Sequence, residues 1–279
     1  MAGRIFLHHA HGFALGGTIT QPFEAEINSH AATSISMVGG YASAKAENYR
    51  FKDLISYKSA HTYISAIKND DETYSTVVDT VVEGLNILDV ITADAVVGRL
   101  SAKHKEGEPS EIIPLGSGFE NLRIAGQAVE VDLLNDLHSH HPSHTALLSH
   151  FKGKCDGDAC TGFEAPEKVR YEWGHPAGEI PDRLEKGLLV PQETGWQESR
   201  GTISCSLVKQ VRLVNSNGSK NELPFGYAIR VPQVGTIYLA ELFVSENTKR
   251  LNMIRAELGS PVVGRLAVSG PETNGSWYP

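Results

Sequence analysis

The chain has 279 residues, of which 41% are hydrophobic and 21% charged, and its formal net charge is −8. This composition is ordinary for a globular protein with a core. The negative charge argues against nucleic-acid binding, because phosphate contacts need a concentrated field of Lys and Arg. The sequence contains no run of about 18 apolar residues, so membrane insertion is not expected.

The start of the chain is predicted to be a β-strand rich in histidine. In that strand His9 and His11 share one face, as in many β-scaffold metal sites. Two imidazoles are a weak chelate, so exposed strand residues are the favoured interpretation. A third ligand would have to come from elsewhere, and the candidates are His30, His61 and His104.

The first residues also bear on location. Their apolar run is interrupted by histidines after three residues, unlike a secretory signal. A cytoplasmic location is the default expectation, and an extracellular or cell-surface location stays open.

A loose repeat at an offset of 36 residues relates residues 53–66 to residues 89–102. Four of its positions are identical, namely Asp53/Asp89, Ile55/Ile91, Ser65/Ser101 and Ala66/Ala102. A period of this size in β-branched, Ser/Thr/Ala-rich sequence predicts a duplicated strand pair in a layered β structure. Chance similarity between short strands is the alternative.

The clearest local unit spans residues 119–133. Leu122 and Ile124 alternate with polar residues, and so do Val129, Val131 and Leu133 after the turn at residues 125–127. Period-2 alternation on both sides of a Gly-containing turn predicts a hairpin with one solvated face.

Two motifs in this region carry a family resemblance. Residues 91–96 read Ile-Thr-Ala-Asp-Ala-Val, and residues 116–129 read Gly-Ser-Gly-Phe-Glu-Asn-Leu-Arg-Ile-Ala-Gly-Gln-Ala-Val. With this strand and hairpin, about residues 35–134 resemble uncharacterised bacterial β-rich proteins of the choice-of-anchor type. The resemblance implies a secreted or surface-displayed β protein, and it carries over no functional residues.

Residues 135–200 differ in character and are predicted to be an irregular His/Pro-rich insertion on the β scaffold. They hold six of the 12 histidines and two of the 3 cysteines. Residues 143–152 predict a short helix, with Ser143 as its N-cap and Gly153 at its end.

The sharpest candidate site is a histidine cluster in this insertion. Neutral imidazole is a good ligand for zinc and other transition metals. The cluster consists of His138, His140, His141, His144 and His150. Pro142 breaks any helix that would align His140 with His144, so a solvated loop without a cofactor is favoured over a zinc site.

Nearby, Cys155 and Cys160 flank Asp-Gly-Asp-Ala. They predict a disulfide-closed loop, half of a zinc site, or a calcium loop that uses Asp156 and Asp158. A local disulfide bridge or free thiols in a surface loop are the favoured interpretation. Cys205, in contrast, reads as a small apolar residue of a buried strand.

Residues 201–279 return to β structure. The predicted strands are 202–213, 226–231, 236–244, 251–258 and 262–268. Residues 251–258 also fit a helix, but a hairpin with residues 237–244 favours a strand. Residues 262–268 are a candidate edge strand for association, and a position in the middle of a sheet is the alternative.

Two carboxylates lie within the apolar runs of this region. Glu241 and Glu257 would suit general acid–base work on a glycoside if they lay on adjacent strands. Exposure to solvent or a pairing with Arg255 is the more common arrangement for such groups.

Together these patterns predict an all-β fold, a layered sandwich or barrel of many short strands with a duplicated strand pair and one loop-rich, partly helical insertion. Its regions are 1–134, 135–200 and 201–279, the last completing the β fold. No nucleophile elbow or phosphate loop occurs in the sequence.

The leading functional hypothesis is a non-enzymatic structural or binding protein that acts through self-assembly or loop-mediated recognition. The alternative is a metal-binding protein or metal-dependent enzyme. We expect a homo-oligomer. A protein or carbohydrate ligand is a further option, and its aromatic platforms would be Tyr171, Trp173, Trp196 or Trp277.

Overall fold

The computed structural model describes residues 4–114, 116–151, 190–192, 197–199, 201–214, 218–222 and 227–279. Two large antiparallel sheets pack face to face as a β-sandwich, and the described strands close no barrel. The all-β prediction is therefore confirmed. No helix among these residues is long and apolar enough to cross a bilayer.

Sheet A combines strands from both ends of the chain, in the order β12-β17-β18-β19-β20-β1-β2, with β14 beside β18, β13 beside β14 and β3 beside β1. Its strands are β1 (Ile5–Gln21), β2 (Ala25–His30), β3 (Thr33–Ser34), β12 (Val190–Gln192), β13 (Gln197–Ser199), β14 (Thr202–Ser206), β17 (Ala228–Val231), β18 (Gly235–Val244), β19 (Thr248–Gly259) and β20 (Val263–Tyr278).

Sheet B has the order β16-β15-β11-β10-β7-β6-β5-β4, with β8 and β9 beside β7. Its strands are β4 (Gly40–Phe51), β5 (Ile55–Lys68), β6 (Tyr74–Ile87), β7 (Ile91–His104), β8 (Glu111–Ile113), β9 (Gly118–Glu120), β10 (Arg123–Ile124), β11 (Gln127–Leu133), β15 (Val208–Val214) and β16 (Lys220–Glu222). Two helices, α1 (Leu137–His140) and α2 (His144–Phe151), follow β11.

The sequence repeat corresponds to two equivalent hairpins. The pair Phe51–Ile55 closes β4–β5, and the pair Ile87–Ile91 closes β6–β7, again at an offset of 36 residues. The positions of positive φ repeat as well, at Asn48 and Gly84 within the strands and at Lys52 and Leu88 in the turns. The duplicated strand pair is therefore present in the structure.

Long strands in both sheets exchange their buried and exposed faces near the middle. In β6 the buried positions are even-numbered from Thr76 to Val82 and odd-numbered at Leu85 and Ile87. Gly84, at φ 63°, lies between the two sets, and the pairing with β7 keeps its register across it. Left-handed residues stand at the corresponding points of other strands, namely Asn48 in β4, Ala240 in β18 and Ser269 in β20. We call this line the face switch.

Many strands are short, as predicted, and the face switch explains why some are longer than the sequence pattern indicates. The strands β1, β5, β6, β7 and β20 are 14 to 17 residues long. Period-2 alternation restarts at each switch, so one long strand has the pattern of two short ones. The predicted strand 202–213 shows the opposite error, because Leu207 divides it into β14 of sheet A and β15 of sheet B.

Several local predictions are confirmed. Residues 123–128 form the β10–β11 hairpin, and residues 251–258 belong to a strand that pairs with β18. Helix α2 begins at His144, and the Ser143 hydroxyl accepts a hydrogen bond from the amide of Ala146 at 3.3 Å. The predicted end of this helix, Gly153, lies outside the described residues.

The edge position considered for residues 262–268 is wrong. Residues 263–268 belong to β20, which pairs with β1 on one side and β19 on the other. This stretch is apolar with strong β-formers because it is central, and it offers no open edge to a second chain.

Candidate functional site

The histidine-rich segment is only partly brought together. His141 follows α1 and lies against His150 of α2, with ring centroids 4.1 Å apart, while His140 and His141 are 6.4 Å apart. Burial lowers the pKa of His141 to about 4 and also lowers that of His150. His144 begins α2, and His138 lies in α1. Cys155 and Cys160 lie outside the described residues.

A metal centre is not formed by the described part of the chain. It contains no group of three or more His, Cys, Asp or Glu side chains placed to hold an ion. At the N-terminus His9 and His11 do share the outer face of β1, and His11 lies 3.5 Å from Glu272. His8 points the other way, into the sandwich, where its Nδ1 is 3.0 Å from the Thr76 hydroxyl.

The two carboxylates of the glycosidase hypothesis are held by a single arginine. Arg255 donates to both oxygens of Glu241, at 2.6 and 2.8 Å, and to Glu257 at 2.5 Å. Its guanidinium also lies over the Tyr238 ring at 3.6 Å. Although burial lowers the pKa of Arg255, the hydrogen bonds to Glu241 outweigh it and raise that pKa overall. Glu241 and Glu257 are therefore paired with Arg255, as the alternative to the glycosidase hypothesis predicts.

Of the four aromatic residues considered for sugar binding, the structure describes Trp277, and this side chain is not exposed. Trp277 packs against Phe6 and Tyr74, with centroids 5.1 and 5.3 Å away. Tyr171, Trp173 and Trp196 lie outside the described residues. Cys205 is buried in β14, and burial raises the pKa of its thiol.

The most unusual chemistry lies at one end of the sandwich, around a fully buried lysine. Lys249, near the start of β19, has no exposed surface. Its ammonium contacts the Ser110 hydroxyl and, at 3.1 Å, the backbone carbonyl of Glu246. Neither of these contacts is with a carboxylate, no ion pair of Lys249 is found among the described residues, and burial lowers its pKa to about 8. Because an unpaired buried charge is costly, such a lysine is a marker of function.

Polar side chains and aromatic rings surround this lysine. His104, at the end of β7, is 5% exposed, and its Nε2 has no hydrogen-bond partner among the described residues. Burial, followed by the charge of Lys249, lowers the pKa of His104 to about 3. The Phe6 ring lies 4.9 Å from both His8 and His104. On the other side, buried Thr273 stands opposite Lys249 in the β19–β20 ladder, also with an unpartnered hydroxyl.

The sequence contains a signal for the burial of this lysine. Lys249 is in step with Leu251 and Met253, and all three are buried on the inner face of β19. The period-2 pattern of buried positions in β19 therefore continues from the apolar Leu251 back to the charged Lys249. Ser110 offered no such signal, because its contact with residue 249 joins parts of the chain 139 residues apart.

A second notable feature is the open edge of sheet B. Strand β4 is 12 residues long and pairs with β5 on one side, and no described strand pairs with it on the other. The outward-facing Tyr41 is 71% exposed and stacks on Tyr63 of β5 with centroids 6.3 Å apart. Long exposed edges commonly accept another strand.

The fold and these features define an all-β sandwich protein with a polar buried end and an open sheet edge. The chain belongs to the family described as a domain of unknown function, DUF8256, whose model matches residues 6–245. Neither a search of curated proteins nor a search of solved structures gives a match.

Proposed function

We propose that this protein is a structural or binding protein that assembles through the open edge strand β4. The observation that supports this proposal is the length of that edge, 12 residues without a described neighbour on one side. Unpaired N–H and C=O groups along such an edge are satisfied when a strand is added.

The side chains of β4 suit a second copy of the same strand. Before the face switch at Asn48, the inner face of β4 consists of Gly40 followed by three alanines, Ala42, Ala44 and Ala46. Each is only partly buried although it faces the core, because nothing described covers the edge. Small side chains at alternate positions let two strands pack without steric conflict.

Charge does not oppose this pairing. Charged residues on edge strands usually prevent association. In β4, however, Lys45 and Glu47 form an ion pair of 2.5 Å with each other, so the strand segment carries no net charge from them. A second copy therefore meets a neutral edge.

The register follows from the face switch. Two antiparallel copies match faces only over residues 40–47, since the buried and exposed positions exchange beyond Asn48. Matched faces place the two-fold axis on Ser43 or on Ala44, with seven paired residues in each case, and we propose Ala44 because it sets every alanine opposite an alanine of the second copy. Ala42 then lies opposite Ala46 of the second copy, and Tyr41 lies opposite its Glu47.

The test combines solution mass with cysteine crosslinking. Light scattering at micromolar concentration should report a mass above 30.3 kDa. In a Cys155→Ser/Cys160→Ser background, Ala44→Cys should give a disulfide-linked dimer under mild oxidation, because the two Cα atoms at the axis are within bridging distance.

Ala42→Cys is the matched control. Its two copies would be separated by four residues, about 13 Å, so it should not crosslink with itself. Mixed with Ala46→Cys it should crosslink. A monomeric mass over a hundredfold concentration range would end the proposal, whereas assembly without the Ala44→Cys crosslink would reject only the register.

Metal binding through the histidine-rich segment is the second candidate. The observation that favours it is the contact between His141 and His150. We expect any bound metal to use at least two of the five histidines, and acid to release it as the imidazoles are protonated. Elemental analysis of protein purified without an affinity tag tests this. Metal that survives replacement of these histidines, but not of His8, His9 and His11, would show the wrong cluster had been chosen.

A further inference from the structure

Ser110 and Lys249 have the arrangement of a nucleophile and its base. The Lys249 Nζ contacts the Ser110 Oγ, and both atoms also approach the backbone carbonyl of Glu246, at 3.1 and 3.0 Å. This shared carbonyl fixes the amine beside the hydroxyl. Among the described residues the ammonium of Lys249 has these two neutral acceptors and no carboxylate partner, so no opposite charge offsets its burial.

The direction of this hydrogen bond depends on protonation. When Lys249 is charged it donates to Ser110, whose own proton points to the Glu246 carbonyl. When it is neutral it accepts the proton of Ser110, and the serine oxygen becomes nucleophilic. The titratable groups facing the lysine are His104 from β7 and, beyond it, His8 from β1, and burial keeps both neutral.

The serine is near a surface opening. Ser110 is 8% exposed, and its sequence neighbours Pro109 and Glu111 line a cavity together with Thr73 and Lys103. Lys103 pairs with Asp71 at 3.1 Å and Lys105 pairs with Glu108, while Glu111 forms no ion pair among the described residues. The lining therefore carries one excess negative charge, which disfavours an anionic ligand and is compatible with an uncharged one.

We propose that Ser110 and Lys249 form a site for acyl transfer from uncharged carboxylic esters to water. The Ser110 oxygen forms a bond to the ester carbonyl carbon while Lys249 takes the hydroxyl proton. The alkoxide then leaves with that proton as an alcohol, and the acyl group stays on Ser110. Water, deprotonated by Lys249, attacks the acyl carbon, the bond from that carbon to the Ser110 oxygen breaks, and Lys249 returns the proton to this oxygen as the carboxylic acid leaves.

A fluorophosphonate probe tests the nucleophile, since attack by serine forms an O–P bond and releases fluoride. Intact protein should be labelled at Ser110, as located by peptide mass spectrometry. Labelling should increase with pH around the pKa of Lys249, about 8. Lys249→Met and Lys249→Arg should each slow labelling by about 100-fold or more, because neither side chain serves as a base.

Ser117 provides a matched control. It is also a buried serine, 6% exposed, but its hydroxyl hydrogen-bonds with the backbone of Arg99, donating to the carbonyl at 3.0 Å and accepting from the amide at 2.9 Å, and no lysine among the described residues hydrogen-bonds to it. Ser117→Ala should leave the labelling rate unchanged, and Ser110→Ala should abolish it. The absence of a label on Ser110 in the folded wild-type protein would overturn the proposal, as would full labelling of folded Lys249→Met. Hydrolysis of p-nitrophenyl acetate with the same pH dependence would support the second half of the reaction.

Discussion

The two ends of the sandwich, on either side of the face switch, have opposite interiors. One end, here the apolar end, is filled by large aliphatic side chains such as Leu15, Ile19, Ile87 and Ile91. The other, the polar end, buries His8, His104, Lys249 and several threonines, and a separate small cluster of Ala10, Ile64 and Val78 lies within it. Hydrophobic burial stabilises the first end, whereas buried polar groups cost stability in the second. The apolar end therefore stabilises the fold, and the costly buried polar groups indicate that the polar end has a functional role.

The largest effect should come from truncating aliphatic side chains at the apolar end. Ile87 and Ile64 are both fully buried, but Ile87 belongs to the main core and Ile64 to the small cluster. We expect Ile87→Ala to lower the free energy of unfolding by about 3–5 kcal/mol and Ile64→Ala by about 2–3 kcal/mol. Urea denaturation measures both, and equal losses would contradict the contrast between the ends.

Replacing the buried lysine should stabilise the polar end. Its pKa, about 8 when folded, lies below the ordinary 10.5, so at pH 7 the folded state bears a cost of about 3 kcal/mol. We expect Lys249→Met to raise the free energy of unfolding at pH 7 by about 1–3 kcal/mol, since some hydrogen bonding is lost with the amine.

The pH dependence gives a sharper test of the same group. Between pH 8 and 10.5 the unfolded wild-type chain binds more protons than the folded one, so its stability should increase with pH there. The difference between wild type and Lys249→Met should be constant below pH 8 and should change by about 3 kcal/mol in favour of wild type by about pH 10.5. A difference that does not vary with pH would show that Lys249 is not titrating in this range.

Two threonines at the polar end should respond in opposite directions. The Thr62 hydroxyl is buried without a hydrogen-bond partner among the described residues, while the Thr80 hydroxyl lies 2.6 Å from that of Ser269 across the two sheets. We expect Thr62→Val to stabilise by about 1 kcal/mol and Thr80→Val to destabilise by about 1–2 kcal/mol. Thermal unfolding of the pair distinguishes the cost of an unsatisfied group from the value of a satisfied one.

The smallest effect concerns the face switch that separates the two ends. Asn48 is exposed at φ 53°, so changes there act mainly through the backbone. Asn48→Val should destabilise by about 1 kcal/mol, because β-branched residues disfavour positive φ, and Asn48→Gly should stay within about 0.5 kcal/mol of wild type. Similar stability of the two variants would mean that β4 does not need the left-handed residue.

The amino-acid sequence by itself determined the fold class and the local units. Alternation around residues 125–127 predicted the β10–β11 hairpin, Ser143 predicted the start of α2, and the 36-residue offset predicted the duplicated hairpins. Each of these depends on residues close together in the chain, where backbone preferences and side-chain periodicity act directly.

Only the tertiary structure decided which strands are neighbours and which polar groups are buried. Residues 262–268 have the composition of an edge candidate, yet β20 lies between β19 and β1, while the open edge belongs to β4. The contact between Ser110 and Lys249 joins distant parts of the chain, and the histidines of β1 face opposite sides. Such outcomes follow from long-range strand pairing, which depends on the energy of the whole core and leaves no local pattern to read.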